Sequence, residues 1–189
     1  MRSKKFILFL LVVTLGLCGK TQDKQIKFRS ITSAGLLIGE SGTDMMLQTV
    51  NGIACKNYFS GIGFGTDYYH FNSYPLFFDQ RVYFGKNNKV FVYGDLGYNF
   101  SAKNKPGKEI YYYTSYHFNG GVYTDLGFGY RMKIKGKLFF TLSTGFTYKE
   151  INDKVGTSTL CLTPEPCPVD YSTYKYGNGR VVLKAGVDF

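Results

Sequence analysis

The chain has 189 residues, of which 44% are hydrophobic, with 17 Tyr, 17 Phe, 23 Gly, no Trp, and 23 Lys+Arg against 13 Asp+Glu for a formal charge of +10. That length suits one compact domain. The basic balance does not point to nucleic acid, because the lysines gather in turns and loops and not along one element; anionic lipid headgroups or acidic glycans are the expected counterparts, beside the plain role of a solubilising rim.

Residues 1–19 read as an export signal. Met1-Arg2-Ser3-Lys4-Lys5 is a cationic head, followed by an apolar run from Phe6 to Val13 that continues through Thr14-Leu15-Gly16-Leu17. The run is too short for the ~20 residues of a spanning helix. Cleavage is expected near Gly19. Acylation of Cys18 is the competing reading, but the residue before such a cysteine is normally small and Leu17 is bulky. Loss of the signal removes three basic residues and no acid, so the mature charge falls from +10 to +7. A short periplasmic segment, residues 20–26, then leads into a barrel over residues 27–189.

No later apolar run approaches spanning length, yet barrel strands show only alternation. Alternation recurs from end to end, in the strand-and-turn vocabulary of Tyr, Phe, Val, Thr and Gly. The first two expected strands, about Phe28–Gly39 and Met45–Ile53, alternate least cleanly. In the third, Tyr58, Ile62, Phe64 and Tyr68 oppose Gly61, Gly63, Gly65 and Asp67; in the fourth, Leu76, Phe78, Val82 and Phe84 oppose Asp79, Arg81 and Tyr83. Lys89–Ser101 sets Val92, Leu96 and Tyr98 against Phe91, Tyr93 and Asp95. Phe118–Met132 sets Leu126, Phe128 and Tyr130 against Asp125, Gly127 and Arg131. Lys137–Tyr148 sets Leu142 and Phe146 against Ser143 and Gly145, and the last strand sets Leu183, Val187 and Phe189 against Arg180, Lys184 and Asp188.

These make eight strands with connections that alternate in length. Short turns fall near Cys55–Asn57, Gly85–Lys89 and Lys133–Lys137; longer loops fall at Glu40–Asp44, His70–Tyr74, about Ala102–Tyr116 and about Ile151–Thr173. The fold class expected is all-β: an eight-stranded antiparallel up-and-down transmembrane barrel with both termini periplasmic. Val92-Tyr93-Gly94-Asp95-Leu96-Gly97 echoes Val122-Tyr123-Thr124-Asp125-Leu126-Gly127, as two strands of one meander would.

Side-chain volume assigns the faces. An eight-stranded interior is just wide enough to be filled by side chains, so the bulky apolar faces point outward, into hydrocarbon, and the small or polar faces point inward. Tyr58, Tyr68, Tyr98, Tyr130 and Tyr148 sit near strand ends, where aromatic rings favour the headgroup zone. The lumen then holds Asp67, Asp79, Arg81, Asp95, Asp125, Arg131, Arg180, Lys184 and Asp188, which must pair or stay hydrated. A structural salt-bridge network that plugs the barrel is expected ahead of an ion pathway.

Gln48-Thr49-Val50-Asn51-Gly52, Phe59-Ser60-Gly61-Ile62-Gly63-Phe64-Gly65-Thr66-Asp67-Tyr68-Tyr69 and Tyr74-Pro75-Leu76-Phe77-Phe78 resemble the small outer-membrane β-barrel proteins of Bacteroidetes, and more distantly the OmpX/OmpA-type eight-stranded barrels. The resemblance runs over most of the mature chain and implies fold and location, not activity. It also implies that Val187 and the terminal Phe189 form the aromatic-ended strand read by the barrel-assembly machinery. The fuller signature has glycine five before the end, where this chain has Lys184.

Cys161 and Cys167, six apart in the longest loop, are expected to bridge in an exporting compartment. A metal site is not expected there, since no histidine is near and two thiols are too few. Cys55 is left over in a turn. His70 and His117, with Ser115, Asp67 and Ser73, are the residues from which a rim hydrolase would be built, but no nucleophile motif accompanies them. Gly61, Gly63 and Gly65 follow strand alternation and do not read as a nucleotide cradle, and no cofactor is expected. The loops are the remaining candidates. Lys103, Lys105 and Lys108 precede Tyr111-Tyr112-Tyr113, and Tyr171, Tyr174 and Tyr176 flank the last loop, a composition suited to host or glycan ligands. The expected function is a non-enzymatic structural, adhesion or surface-interaction barrel; a lipid- or peptide-hydrolysing rim and a narrow pore are the alternatives.

Overall fold

The computed structural model describes residues 26–40, 42–69, 71–101, 104–109, 112–158 and 169–189. Ten strands are present among them: β1 (Lys27–Gly39), β2 (Gly42–Cys55), β3 (Tyr58–Tyr69), β4 (Phe71–Phe84), β5 (Val90–Ser101), β6 (Asn104–Glu109), β7 (Tyr112–Asn119), β8 (Gly121–Lys135), β9 (Leu138–Ser158) and β10 (Val169–Asp188). Eight of them close on themselves in the order β1-β2-β3-β4-β5-β8-β9-β10, every neighbour antiparallel, with β10 returning to β1 through Ile31↔Asp188 to Ile38↔Val181. Phe189 and Ser30 complete the seam by exchanging backbone hydrogen bonds of 3.0 and 2.8 Å. The chain is a closed eight-stranded β-barrel. No described helix is long and apolar enough to cross a membrane.

Turn chemistry sets one end. β2 and β3 join through Lys56–Asn57, with Lys56 at φ +52°; β8 and β9 join through Gly136–Lys137, with Gly136 at φ +56°. Gly85 (φ +81°), Asn87 (φ +67°) and Asn88 (φ +53°) shape the β4–β5 turn, and these are the residue types that tolerate the left-handed region. At the opposite end, strands run longer than alternation implies. The segment around Ala102–Tyr116, expected to be loop, contains the β6–β7 hairpin, and β7 pairs with β9 from Asn119↔Asn152 to Thr114↔Thr157. The expected Ile151–Thr173 loop is largely strand too, since β9 runs to Ser158 and β10 starts at Val169. Cross-strand hydrogen bonding holds these Gly-, Lys- and Tyr-rich stretches extended, and no apolar face announces it. The result is a four-stranded sheet, β10-β9-β7-β6, standing on the loop end of the barrel.

His70–Tyr74 also shrinks, because β4 already starts at Phe71. Between Phe64↔Leu76 and Asp67↔Ser73 the β3–β4 ladder is interrupted, where Pro75 has no N–H to donate.

Burial alternates with period two. Ile62, Phe64, Leu76, Leu96, Leu126, Phe128, Leu142, Phe146 and Leu183 are exposed on the outer wall, whereas the interior holds the charges together with Phe59, Phe77, Tyr83, Phe91, Tyr93 and Tyr123. The interior is therefore not simply small and polar, as the volume argument expects. Glycines make the room: a methyl built on Gly63 would overlap the Phe77 ring, one on Gly129 the Phe91 ring, and one on Gly127 or Gly145 the Tyr93 ring. Phe77, Phe91 and Tyr93 thus each fill the hollow above a glycine of a neighbouring strand. A Gly63→Ala substitution is accordingly expected to lower stability by about 1–3 kcal/mol through overpacking, read as a shifted urea midpoint of the reconstituted protein. Phe77→Leu on that background should recover part of the loss.

Candidate functional site

The lumen is built in three layers. Nearest the turn end, Arg29 Nε donates to Asp188 Oδ1 at 2.9 Å and its Nη2 pairs with the other oxygen, while Arg131 Nε lies 2.7 Å from the same carboxylate. Arg29 also donates to the Tyr83 hydroxyl at 3.0 Å and stacks over the Tyr83 and Phe59 rings, 4.8 and 5.4 Å from their centroids. Arg131 sits 3.4 Å from the Phe139 centroid. Desolvated guanidinium groups gain from such ring faces.

In the middle, Asp79, Asp95 and Asp125 are direct cross-strand partners on β4, β5 and β8. Like charges in register repel, and two cations lie against the row. Arg81 makes three hydrogen bonds of 2.7–3.0 Å to Asp79; Lys184 Nζ is 2.6 Å from Asp125 and 3.6 Å from Asp95. Around them Tyr93 donates to Asp125 at 3.0 Å, Gln48 donates from β2 across to the Tyr123 hydroxyl at 2.8 Å, and Lys184 donates to Gln48 at 3.2 Å. The Val-Tyr-x-Asp-Leu-Gly echo thus stands on two adjacent strands, with Asp95 opposite Asp125.

Toward the loop end, Lys149 reaches from β9 across to Asp67 on β3, Ser73 donates to the same carboxylate, and Arg180 pairs with Asp44. Among the described residues, the seven ion pairs join six cations (Arg29, Arg81, Arg131, Lys149, Arg180, Lys184) to six carboxylates (Asp44, Asp67, Asp79, Asp95, Asp125, Asp188). Their charges balance.

The nine charged residues assigned to the lumen from sequence all lie in this network. Arg29, Asp44 and Lys149 are the members that alternation misses. Arg29 is on the least regular strand, and Asp44 falls in an expected loop that turns out to be strand. Lys149 needed only one more step of the inward set Gly145, Thr147. Asp67 and Ser73 come together, but with a lysine and inside the lumen, 1% and 4% exposed. Ser115 and His117 belong to β7 in the projecting sheet. His70, Cys18, Cys161 and Cys167 lie outside the described residues, as does the expected signal at residues 1–19. Cys55 is buried with a free thiol. Val187 and Phe189 face outward, 36% and 58% exposed. No described cluster of His, Cys, Asp and Glu is arranged to hold a metal.

The other site is the projecting sheet. Residues 171–177 of β10 are all exposed; Tyr171 is 61% exposed, and Tyr174 and Tyr176 stack at 6.5 Å between centroids. Tyrosine supplies broad contact area with few rotamers to freeze.

Fold and site together define a closed eight-stranded barrel whose amphipathicity is inverted, with paired charges within and apolar side chains without. No protein-family model matches the chain, and no curated protein does. Among solved structures it is similar to the outer membrane protein AlkL, determined by solid-state NMR in DMPC bilayers, at 10% identity over 90% of this chain and 92% of that one, with a TM-score of 0.49. It is also similar to the outer membrane protein OprG from Pseudomonas aeruginosa, at 14% identity over 85% and 94% of the two chains, with a TM-score of 0.45.

Proposed function

We propose that this chain is an integral outer-membrane β-barrel, plugged and non-enzymatic, that presents the β10-β9-β7-β6 sheet at the cell surface for contact with a host or glycan ligand. One observation carries the membrane placement: large apolar side chains stay exposed around the wall while six cations and six carboxylates are turned inward. In water that arrangement is unfavourable on both counts; in a bilayer it satisfies both. Outward tyrosines bracket the wall, Tyr58 and Tyr130 toward the turn end and Tyr68, Tyr98 and Tyr148 toward the loop end. Tyr58 and Tyr68 are ten residues apart on β3, about 33 Å along the strand and about 25 Å along the axis at a ~40° tilt, the height of an outer-membrane apolar band. The sequence resemblance to the small Bacteroidetes barrels agrees with this placement, and it makes the Val187–Phe189 end the strand read by the assembly machinery.

With Gln48, Lys149 and Lys184 spanning the interior, the lumen serves as a plug and not as a pore. The short turns and both ends of the barrel strands, Lys27 and Asp188, then face the periplasm, and the exposed tyrosines of β10 face out. Extracted in mild detergent, the protein is expected to migrate faster on a gel unheated than boiled, as a closed barrel does. A monodisperse protein in detergent-free buffer would contradict the placement.

A further inference from the structure

Charges outside the lumen are distributed unevenly. Lys27, Lys56, Lys86, Lys89, Lys133, Lys135 and Lys137 all lie at the turn end and all are exposed; no exposed carboxylate side chain accompanies them among the described residues. Glu40 and Glu150 lie at the other end. The lumen cannot neutralise the lysines, because its six carboxylates are already matched by six cations. Immediately beneath them on the outer wall lie Phe28, Ile53, Tyr58, Phe84, Met132 and Ile134, exposed and apolar. A lysine at such an edge lays its stem on the apolar surface and lifts its ammonium to the phosphate level.

We infer that these seven lysines form a collar that gathers anionic phospholipid headgroups of the leaflet at the turn end. The inference rests on the membrane placement proposed above. Charge complementarity chooses the occupant: seven ammonium groups with no exposed carboxylate side chain beside them among the described residues, set around a ring at headgroup height, meet a surface of repeating phosphodiesters. Each lysine near an anionic surface is worth roughly fivefold in binding. The loop-end lysines lie about 25 Å away along the axis, well beyond the ~8 Å screening length at physiological salt, so the enrichment is confined to one leaflet.

The chain has no tryptophan, so single reporters can be placed at will. Phe28→Trp reports on the turn end and Tyr68→Trp on the loop end, in phosphatidylcholine bilayers that contain a minor fraction of phosphatidylglycerol. Brominated acyl chains on one lipid or the other quench the reporter. Phosphatidylglycerol is expected to be enriched about fivefold around Phe28→Trp at low salt, and little around Tyr68→Trp. The enrichment should vanish in high salt and on changing all seven lysines to Gln, and survive changing them to Arg. Lys56, Lys86 and Lys137 lie in turns, so their Gln triple variant, less demanding of the fold, should lose part of it. Gln at Lys105, Lys108 and Lys175 should change nothing at the turn end. Equal enrichment at both ends, or enrichment that persists without the lysines, overturns the collar and leaves the membrane placement standing. Quenching by neither lipid overturns the placement and the collar with it.

Discussion

Lys184→Met is expected to destabilise the barrel by about 3–5 kcal/mol, the usual cost of removing one partner from a buried ion pair. Lys184 pairs with both Asp95 and Asp125, which face each other across β5 and β8, and it also donates to Gln48. Its loss leaves two carboxylates in register with no cation between them. Urea unfolding of the protein in lipid vesicles measures the effect. Adding Asp95→Asn and Asp125→Asn to Lys184→Met should restore much of the stability, since the repulsion then goes as well. Lys175→Met, on an exposed stretch of β10, should stay within about 0.5 kcal/mol. A Lys184→Met protein as stable as its parent would mean that the middle layer is hydrated instead of paired.

The second large effect lies on the outer wall, and its size depends on the solvent there. Leu126 is 64% exposed near the middle of β8. In a bilayer, Leu126→Arg should cost about 2–4 kcal/mol, the depth-dependent cost of a cation facing lipid at the midplane. On a barrel surrounded by water the same change would be close to neutral. The same substitution at Ile134, by the turn end, should cost less than about 1 kcal/mol. A gradient between the two positions, read by urea unfolding in vesicles, therefore reports where the hydrocarbon lies. Equal and negligible costs would remove the membrane from the interpretation.

How much of this is legible in the sequence depends on the kind of information each feature needs. Side-chain direction has a period of two residues, so the face of Asp95 or Leu126 can be read from its own strand. Closure into eight strands follows from counting such segments and their turns. Register does not: alternation places Asp79, Asp95 and Asp125 inward but cannot say that they stand level, and so cannot name Arg81 as the cation set against the first and Lys184 as the one shared by the other two. The β6–β7 hairpin and the far halves of β9 and β10 are hidden for another reason. They are held by backbone pairing in stretches such as Lys175-Tyr176-Gly177-Asn178-Gly179, whose side chains have no buried face to reveal. The aromatic filling is half legible. Phe91, Tyr93 and Tyr83 can be assigned inward by parity, but that Gly63 makes a hollow for Phe77 requires two strands to be laid side by side.

The β9–β10 ladder runs unbroken from Val169↔Ser158 to Asp188↔Phe139, and this gives the projecting sheet a mechanical character. A tug on the tip is carried straight down the wall, as tension along strands whose rungs lie crosswise to the pull. Sliding β9 past β8, or β10 past β1, would have to break many rungs together, where peeling would break them one by one. The tip is thus fixed to the barrel as the end of a stave is fixed to its cask, and it can hold a load without first coming loose.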